Sequence, residues 1–460
     1  MPLFRHEFRV PHRPDPVFAW HTRPGAFERL TPSWLTMRLA APPAAHPDDA
    51  ELTIAVARGP VRFDWRLRRR DLAEGRRFTE EQVAGPFQRW VHTRHFEPDG
   101  AGGTRVLNEI DFEPPAGGAG TGLAAPTVLA ELERVCAFRA ARTTHDLALH
   151  ERWTAQPWLT VAITGASGLL GTALRAFLAS GGHRVVALVR DRERAAAADS
   201  IYWNPEGEEI APDALVGIDA VVHLAAETLV QLPRWTADKK RRILESRVRG
   251  TALIARAVAT AHQRGPRVLV SMSGAGYYGD RGEELLTEES RGGKGFLADV
   301  CKAWEESTRR ARGAGVRVVN LRAGPVMSPA GGMLEKVLIP FRMGICGRVG
   351  SGRQYVPWIN IDDMMGVFLQ ALMDARLDGP VNACAPNPVT NATFADILGR
   401  VLGRPTLVPV PTLVVKAGLG EMGVETLLAS QRARPARLLG AGYAFLIEGL
   451  EESLRFQLGR

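Results

Sequence analysis

The sequence of 460 residues has few cysteines, few lysines and no long apolar segment. Its four cysteines, Cys136, Cys301, Cys346 and Cys384, are far apart and form no Cys-x-x-Cys pair, which argues against a disulfide framework and against a zinc site. No run of about 18 apolar residues occurs, which argues against a membrane span. The first ten residues contain no apolar signal core. We therefore expect a cytoplasmic protein that holds no metal.

Basic residues are in excess, although only six of them are lysines. The formal net charge is +8, from 58 basic and 50 acidic residues. This excess lies almost entirely after residue 157 but is diffuse there, so it suits an anionic small ligand and argues against nucleic acid as a partner. The length predicts two or three domains, and the oligomeric state is left open.

Residues 1–155 show the period of antiparallel strands. From Val61 to Leu67, and again from Val106 to Phe112, apolar residues occupy every second position. A glycine-rich turn at 117–122 precedes an amphipathic segment that predicts one long helix ending near His150. This order predicts an α+β helix-grip domain, in which a curved sheet holds a helix.

Residues 158–405 show a different rhythm, in which apolar strands alternate with helices. Apolar strands joined by helices predict a parallel sheet that is covered on both faces, which is the doubly wound α/β Rossmann arrangement. Residues 406–460 begin with a proline-rich segment and predict a helical C-terminal domain. The predicted strands of the sheet are 159–164, 184–189, 218–224, 267–272 and 316–321.

Three glycines follow the first of these strands in the order Gly165-x-x-Gly168-x-x-Gly171, and a predicted helix begins there. The first glycine of such a loop makes a tight turn, the second lets the backbone approach a pyrophosphate, and the third packs helix against strand. The helix N-terminus adds N–H donors for the phosphates. The predicted cofactor-binding residues are Gly165, Ser167, Gly168, Leu169, Gly171, Arg190, Leu224, Ala225 and Ala226.

The end of the second predicted strand indicates which dinucleotide is bound. An enzyme that uses NAD usually places a carboxylate about 20 residues after the loop, where it holds a ribose hydroxyl. Here Arg190 stands 19 positions after Gly171, and Asp191 follows it. Because an arginine pairs with a 2′-phosphate, the sequence favours NADP. Arg192 and Arg194 either join this contact or simply solvate the loop.

Ordered motifs further along the chain carry a family resemblance. The segments His223-Leu224-Ala225-Ala226-Glu227, Ser271-Met272-Ser273-Gly274-Ala275-Gly276-Tyr277-Tyr278-Gly279 and Cys301-Lys302-Ala303-Trp304-Glu305 resemble the atypical, extended short-chain dehydrogenases/reductases of the epimerase family. The resemblance covers about residues 160–455 and includes a short C-terminal domain of unknown function. It implies NADP binding without naming a substrate.

The acid–base residues of short-chain dehydrogenases are not all present. These enzymes use a tyrosine and a lysine four positions apart, which share one side of a helix. None of the five tyrosines is followed by a lysine at that spacing, and Lys302 has Ala298 where the tyrosine should stand. Either Tyr277 or Tyr278 takes over the role of proton donor, or the site binds NADP without this chemistry.

The other candidate catalytic residues each have two interpretations. Ser273, or Ser271, either polarises a substrate carbonyl or caps the end of a strand. Tyr277 and Tyr278 either donate a proton or pack against their neighbours. Lys302 either contacts a ribose or lies on a solvated helix face.

The predicted substrate residues follow strands of the sheet, where such folds build their pocket. Glu227 is assigned on its position alone, and Trp358 either lines the pocket or packs the last helix against the sheet. The predicted set is Glu227, Arg322 and Trp358, with Arg353, Gln354 and Asp362 as further candidates.

Three other polar clusters are interpreted as structural. His92 and His95 should face opposite sides of a strand, which argues against a shared metal. The run from Arg66 to Arg70 predicts a solvated edge strand, and the basic cluster at Lys239–Arg242 predicts a solvated helix face.

Residues 3–153 resemble the START-like (SRPBCC) cyclase/dehydrase superfamily. The segments Pro16-Val17-Phe18-Ala19-Trp20-His21 and Gly85-Pro86-Phe87-Gln88-Arg89-Trp90 carry this resemblance. It implies an apolar cavity between sheet and helix, and therefore an apolar ligand. The sequence thus predicts an NADP-dependent oxidoreductase or epimerase acting on a small molecule and fused to a domain that binds a hydrophobic ligand. The alternative is a non-catalytic NADP(H)-binding sensor.

Overall fold

The computed structural model describes residues 3–40, 49–114, 121–229 and 234–460. The chain forms two compact units. The first contains the chain up to Pro157 together with Ala176–His183 and Gly459, and the second contains the remaining residues from Trp158 onward. Over the described ranges, no helix is both long and apolar enough to cross a bilayer.

The first unit contains a seven-stranded antiparallel sheet in the order β1-β7-β6-β5-β4-β3-β2. Its helices are α1 (Pro14–Thr22), α2 (Ala26–Leu30) and the long α3 (Thr121–Glu151). The predicted turn at 117–122 lies mostly outside the described residues. The strands are β1 (Leu3–Val10), β2 (Thr36–Leu39), β3 (Glu51–Arg58), β4 (Val61–Ala73), β5 (Arg77–Ala84), β6 (Arg89–Pro98) and β7 (Thr104–Glu113).

Helix α3 packs against one face of this sheet. Burial alternates residue by residue along β7, as a strand with one covered face requires. This arrangement confirms the predicted α+β class and helix-grip architecture. A buried cluster joins apolar residues of the strands to Leu132 and Cys136 of α3, and its strand members are Phe4, Leu52, Ile54, Leu67, Trp90, Ile110 and Phe112.

The prediction that Arg66–Arg70 lies on an edge strand is wrong, although Arg66 and Arg70 point outward and are exposed as expected. Strand β4 lies between β3 and β5, so every second side chain faces the interior. Arg69 is only 3% exposed, and its Nη2 lies 3.4 Å from Glu80, which also accepts from Arg94 at 2.9 Å. Burial alone would raise the pKa of Glu80, but Arg94 and Arg69 hold that pKa well below its usual range.

His92 and His95 face opposite sides of β6, as the period of a strand requires. His92 is buried and bonds to Asn108 at 3.1 Å, while His95 lies 3.2 Å from Glu109. In the described part of the chain, no group of three or more histidine, cysteine, aspartate or glutamate side chains is placed to hold a metal ion.

The second unit contains an eight-stranded sheet in the order β11-β10-β9-β8-β12-β13-β15-β19. All neighbouring strands are parallel except β11, which pairs antiparallel with β10. Consecutive buried residues in β12 and β13 show that both faces are covered. The strands are β8 (Thr160–Thr164), β9 (Arg184–Val189), β10 (Ser200–Asn204), β11 (Glu209–Ile210), β12 (Ala220–His223), β13 (Val268–Gly274), β15 (Arg317–Ala323) and β19 (Gly379–Ala383).

The strand order confirms the predicted doubly wound Rossmann class. The chain runs outward from β8 in one direction through β9 and β10, and then returns to continue from β12 in the other direction. The gap between the ends of β8 and β12 is therefore the topological switch point, where such sheets bind ligands. Three short pairs complete the strands: β14 (Leu285–Leu286) with β21 (Arg432–Ala433), β16 (Val326–Met327) with β18 (Ile359–Asn360), and β17 (Tyr355–Val356) with β20 (Val389–Thr390).

The helices of the second unit follow the predicted pattern, with one interruption. Residues 296–313 form two helices rather than one, divided at Ser307 and Thr308, whose hydroxyls donate to the carbonyls of Ala303 and Glu305. The helices are α4 (Leu169–Ser180), α5 (Ala237–Ala261), α6 (Phe296–Glu306), α7 (Arg309–Gly313), α8 (Gly332–Arg342), α9 (Ile361–Met373), α10 (Asn391–Leu402), α11 (Thr412–Gly423), α12 (Ala436–Gly440) and α13 (Leu450–Leu458).

A buried carboxylate on α9 holds the segment that leads to α13. Asp363 is fully buried and accepts hydrogen bonds from the amides of Leu446 at 2.7 Å and Ile447 at 3.1 Å. The hydroxyl of Tyr443 lies 3.3 Å from the same carboxylate. Burial raises the pKa of Asp363 to about 7, so hydrogen bonds rather than a countercharge keep this group in the interior.

We predict that Asp363→Ala lowers the free energy of unfolding by about 2 to 4 kcal/mol, because two buried amides and a phenol lose their acceptor. Denaturant titration of the purified protein measures the change. As a control, Glu306→Ala removes an exposed ion pair with Arg309 and should cost less than about 0.5 kcal/mol. Equal effects of the two substitutions would contradict the anchoring role of Asp363.

Candidate functional site

The glycine loop after β8 is built by two close backbone contacts. Gly165 has φ of +65°, and its carbonyl accepts from the amide of Gly168 at 3.0 Å. A Cβ on Gly165 would lie 2.9 Å from the amide nitrogen of Ala225, and a Cβ on Gly171 would overlap the Gly165 carbonyl. Both positions therefore need glycine because the protein itself leaves no space.

Gly168 differs from these two glycines. A Cβ there would meet only the Gly165 carbonyl, at 3.4 Å, and the residue is exposed. The protein therefore leaves open space above Gly168, directly before the N-terminus of α4. A phosphate held by the helix N-terminus would occupy this space, so the loop fits the pyrophosphate of a dinucleotide.

Thr164 ties the ends of β8 and β12 together. Its Oγ1 accepts from the amides of Leu224 at 3.0 Å and Ala225 at 3.2 Å, so its proton is donated to Nδ1 of His223, 2.8 Å away. Burial lowers the pKa of His223 to about 3, so the ring is neutral and carries its proton on Nε2. This network positions the Ala225 backbone against Gly165.

A cleft of about 1080 Å³ opens over the loop at the switch point. Of the nine predicted cofactor-binding residues, all but Leu169 and Gly171 line it, and Glu227 lines it too. Gly171 acts through packing instead. Sequence reasoning missed Arg175 and one face of α5, whose members Arg242, Glu245, Ser246 and Arg249 also line the cleft. Their spacing of three and four residues is a helical signal that could have identified them.

The cleft contains arginines near the end of β9. Arg190 and Arg194 line it together with Arg175, whereas Arg192 does not. Arg192 pairs with Glu209 at 2.7 Å and lies 4.1 Å from the centre of the Tyr202 ring. Arg190 is thus available for an anionic group in the cleft, while Arg192 is engaged elsewhere.

The prediction that Lys239 lies on a solvated helix face is wrong. Lys239 is 1% exposed, and its Nζ donates to Oε1 of Glu227 at 2.6 Å. The amide of Glu227 donates to Ser246 at 3.1 Å, and Arg247 donates to its carbonyl at 3.0 Å. These contacts hold the Glu227 carboxylate at the wall of the cleft, beside Ala226.

Ser273 lies in a buried ionic cluster at the end of β13. Its Oγ donates to Glu305 of α6 at 2.8 Å, and Arg322 of β15 binds the same carboxylate through two nitrogens, at 2.8 and 2.9 Å. Arg322 is only 3% exposed. This geometry favours a positioning role for Arg322 rather than a direct contact with substrate.

The two adjacent tyrosines have different surroundings. Tyr278 is fully buried, and its hydroxyl donates to Asn382 at 2.6 Å or Thr287 at 3.0 Å and accepts from Arg322. Burial raises the pKa of Tyr278 to about 12. Tyr277 is only partly buried, and its ring lies 3.4 Å from the Arg322 guanidinium carbon. The geometry favours Tyr277 over Tyr278 as the candidate proton donor.

Lys302 of α6 lies close to Tyr277. A Cβ on Gly292 would lie 2.8 Å from Cε of Lys302 and 3.3 Å from the hydroxyl of Tyr277, so one small residue separates the two side chains. Lys302 also donates to Gly293 at 2.7 Å and pairs with Asp299 at 3.1 Å. The fold thus brings together a tyrosine and a lysine that the sequence separates by 25 positions.

The remaining candidates lie apart from this cluster. Trp358 is fully buried in an apolar core, and its Nε1 donates to Asn387 at 3.1 Å, which favours the packing interpretation. Asp362 is buried beside Gln457, and Arg353 is exposed and pairs with Glu283. Gln354 donates to the carbonyls of Val349 and Leu427.

The buried thiol of Cys301 is not a nucleophile at neutral pH. Burial raises the pKa of Cys301 to about 11, and the nearby Glu305 adds to this effect. The group therefore stays protonated, although it lies next to Ser273.

Comparison with known proteins agrees with the Rossmann fold and its glycine loop. The NAD dependent epimerase/dehydratase family matches residues 161–384. The epimerase family protein Mb2239 of Mycobacterium bovis is 41% identical over 300 residues, which are 65% of this chain and 98% of that protein. The chain belongs to the epimerase family. The resemblance inferred from the sequence motifs is therefore confirmed.

Two solved structures resemble this epimerase-family chain. The nucleoside-diphosphate sugar epimerase from Corynebacterium glutamicum has a TM-score of 0.81 and 33% identity, over 99% of this chain and 90% of that one. Human epimerase family protein SDR39U1, solved with NADPH, has a TM-score of 0.59 and 34% identity, over 65% of this chain and 98% of that one. The predicted cofactor class agrees with the second structure.

The flanking segments also match known families. Residues 1–141 match the family described as polyketide cyclase / dehydrase and lipid transport, which confirms the SRPBCC resemblance. Residues 410–457 match a domain of unknown function (DUF1731). The boundaries of the three predicted domains stay a prediction.

We predict that Gly168→Ala raises the Kd for NADPH by at least about tenfold, because its methyl group occupies the space of a phosphate. Folding should be unaffected, since that methyl group meets no backbone closer than 3.4 Å. Fluorescence titration with NADPH and thermal unfolding measure the two quantities.

Gly171→Ala is the matched control, because its methyl group overlaps the Gly165 carbonyl and should destabilise the fold. Unchanged NADPH affinity in a folded Gly168→Ala protein would contradict the assignment of the space over Gly168 to a phosphate of the cofactor.

Proposed function

We propose that this protein is an NADP-dependent oxidoreductase or epimerase that acts on a small molecule. The open space over Gly168 at the switch point of the sheet is the main support, because a phosphate held by the N-terminus of α4 would fit in it. The arginines at the end of β9 and the NADPH bound to the human relative add to this support.

Arg190 is the residue proposed to select NADP over NAD. It lines the cleft beside the end of β9, where the adenosine ribose of a dinucleotide lies in this fold. An arginine binds a phosphate through charge-assisted hydrogen bonds, which a ribose hydroxyl cannot replace. Ser167 and the N-terminus of α4 would hold the pyrophosphate, and Ala225 and Ala226 would border the next part of the cofactor.

Tyr277 is proposed as the group that moves a proton to or from the substrate. When bound, NADP supplies or accepts a hydride. Lys302 lies beside Tyr277 across Gly292, so the fold places a lysine next to the proposed proton donor. Glu305 orients Ser273, whose hydroxyl would polarise a carbonyl, and Arg322 orients Glu305. Glu227 would contact the substrate from the wall of the cleft.

The alternative is a non-catalytic NADP(H)-binding sensor. The missing Tyr-x-x-x-Lys pair favours this function, and so do the existing bonds of Ser273 to Glu305 and of Lys302 to Asp299. A library of carbonyl compounds mixed with NADPH and the protein separates the two functions. Tight NADPH binding without oxidation by any compound would support the sensor.

We also propose an apolar ligand for the first unit. The family that residues 1–141 match is described as polyketide cyclase / dehydrase and lipid transport. In addition, the buried apolar cluster beneath α3 is bordered by partly buried apolar side chains. These side chains include Met37, Trp65, Phe87 and Leu129. The proposed compartment is the cytoplasm, where the four free cysteines would stay reduced.

We predict that Arg190→Ala raises the Kd for NADPH by about tenfold or more and leaves the Kd for NADH unchanged, since only NADPH carries the 2′-phosphate. Fluorescence titrations with both dinucleotides measure the ratio. Arg192→Ala is the matched control and should change neither Kd. A preference for NADH that persists in Arg190→Ala would contradict the NADP assignment.

We predict that Tyr277→Phe lowers the rate of NADPH oxidation by about 10²- to 10⁴-fold, because the proton donor is lost while the ring over Arg322 remains. The Kd for NADPH should not change. Stopped-flow absorbance with a substrate from the library measures the rate.

Tyr278→Phe is the neighbouring control. This substitution leaves buried partners of the hydroxyl unsatisfied, so it should lower the free energy of unfolding by about 1 to 3 kcal/mol. The rate of NADPH oxidation by the folded protein should change little. If Tyr277→Phe turned over as fast as the unchanged protein, Tyr277 would be a packing residue.

A further inference from the structure

A second cavity of about 350 Å³ lies in the second unit. It is enclosed by α8, α10, α11 and the strand β17, and we call it the apolar chamber. None of the residues that line it also lines the cofactor cleft. Its wall is mainly aliphatic and aromatic, with Met333, Val337, Phe341, Phe394, Val415 and Leu419 as members.

The polar groups of the chamber are largely engaged by the protein. Glu425 accepts from the amides of Phe296 and Leu297 at 2.8 and 2.7 Å, so its carboxylate caps α6. Asn391 accepts from the amide of Val349 at 2.7 Å, and the hydroxyl of Thr426 donates to Met422. Gln431 and Tyr355 also line the chamber, so a ligand there would meet a few uncharged polar groups within a mainly apolar wall.

No arginine, lysine or histidine occurs among the described residues that line the chamber. Its one charged side chain is the carboxylate of Glu425. A diphosphate or a sugar acid would enter this space without a countercharge and against a like charge, which is costly in a buried site. The cofactor cleft differs in this respect, because five arginines line it, together with four acidic residues.

The chamber lies at the edge of the sheet where the parallel strands end. Pro325, which follows β15, is part of its wall, and Gly324 packs against the carbonyl of Pro357 in the same wall. Ligands of open α/β sheets bind at this edge. Glu425 also joins the chamber to α6, the helix that carries Lys302 and Glu305.

The chamber reaches solvent through an apolar entrance. Val414 lines the chamber and is itself 56% exposed, and the neighbouring Leu413 is 77% exposed. Ile345, which precedes the lining residue Cys346 in the chain, is also exposed. A hydrocarbon would meet apolar surface from solvent to the interior.

We propose that the apolar chamber binds an uncharged, largely hydrocarbon molecule and that this molecule is the carbonyl or alcohol substrate. The binding site stands on the chamber alone, while its role as substrate site rests on the proposed function. A cavity of this size is within the range of about 300–1,000 Å³ that small-molecule sites occupy. Nucleotide sugars, which the relative from Corynebacterium glutamicum is named for, are excluded from it.

The test uses the full chain with NADPH, and decanal and decanol as probes. Calorimetry should show decanol binding with a negative heat-capacity change, as burial of apolar surface requires. Val337→Trp, a half-buried position on α8, should weaken this binding by at least about tenfold and leave the Kd for NADPH unchanged. Ile339→Trp, on the same helix but 65% exposed, should change neither.

Val414→Trp at the entrance is the second variant, and it should also weaken decanol binding if Val337→Trp fails to fold. Crystals grown with bromodecane locate the ligand directly, through an anomalous peak inside the chamber. Decanol binding that survives both tryptophan variants, or bromine found only outside the chamber, would overturn the proposal. So would binding of UDP-glucose that either variant abolishes.

Turnover separates the two parts of the proposal. Oxidation of NADPH by decanal, lost in Val337→Trp, supports the assignment as substrate site. Binding of decanal in the chamber without turnover of any carbonyl compound overturns the substrate role and the proposed function, while the binding site stands. Turnover of polar carbonyls alone, unaffected by Val337→Trp, overturns the substrate role and leaves the proposed function standing.

Discussion

The close approach of Gly165 to Ala225 is the contact on which the site depends. Thr164 supports it by accepting hydrogen bonds from the two amides that follow β12, and the buried His223 completes that network by accepting a hydrogen bond from the Thr164 hydroxyl. Because the two strand ends are joined in this way, the loop can turn tightly and α4 can begin directly beside it. The space over Gly168 is a consequence of this arrangement.

Buried charges position the rest of the site. Arg322 holds Glu305, which holds Ser273, and Lys239 holds Glu227 at the wall of the cleft. Removing one partner of such a pair leaves a buried charge without compensation, which is far more costly than losing a surface pair. The same reasoning applies to Asp363, where backbone amides replace the cation. These groups therefore fix side-chain positions more than they add stability.

The two cavities of the second unit suit ligands of different chemistry. Arginines surround the cofactor cleft and suit phosphates, whereas the apolar chamber offers an already capped carboxylate and a hydrocarbon wall. Helix α6 links the chamber to the candidate catalytic residues. Glu425 of the chamber caps its N-terminus, and Glu305 near its C-terminus accepts a hydrogen bond from Ser273. This difference in lining suits the proposed pairing of a charged cofactor with an uncharged substrate.

The sequence by itself determined the two architectures, the glycine loop and the cofactor class, because strand and helix periods and the needs of a phosphate act over a few neighbouring residues. The bounds of β9 agree with the predicted strand 184–189 for that reason. Tertiary structure decided the burial of Lys239 and Arg69, since each is stabilised in the interior by a carboxylate elsewhere in the chain. It also decided that Tyr277 lies beside Lys302, because residues distant in the chain meet only when the ends of parallel strands share one edge of a sheet.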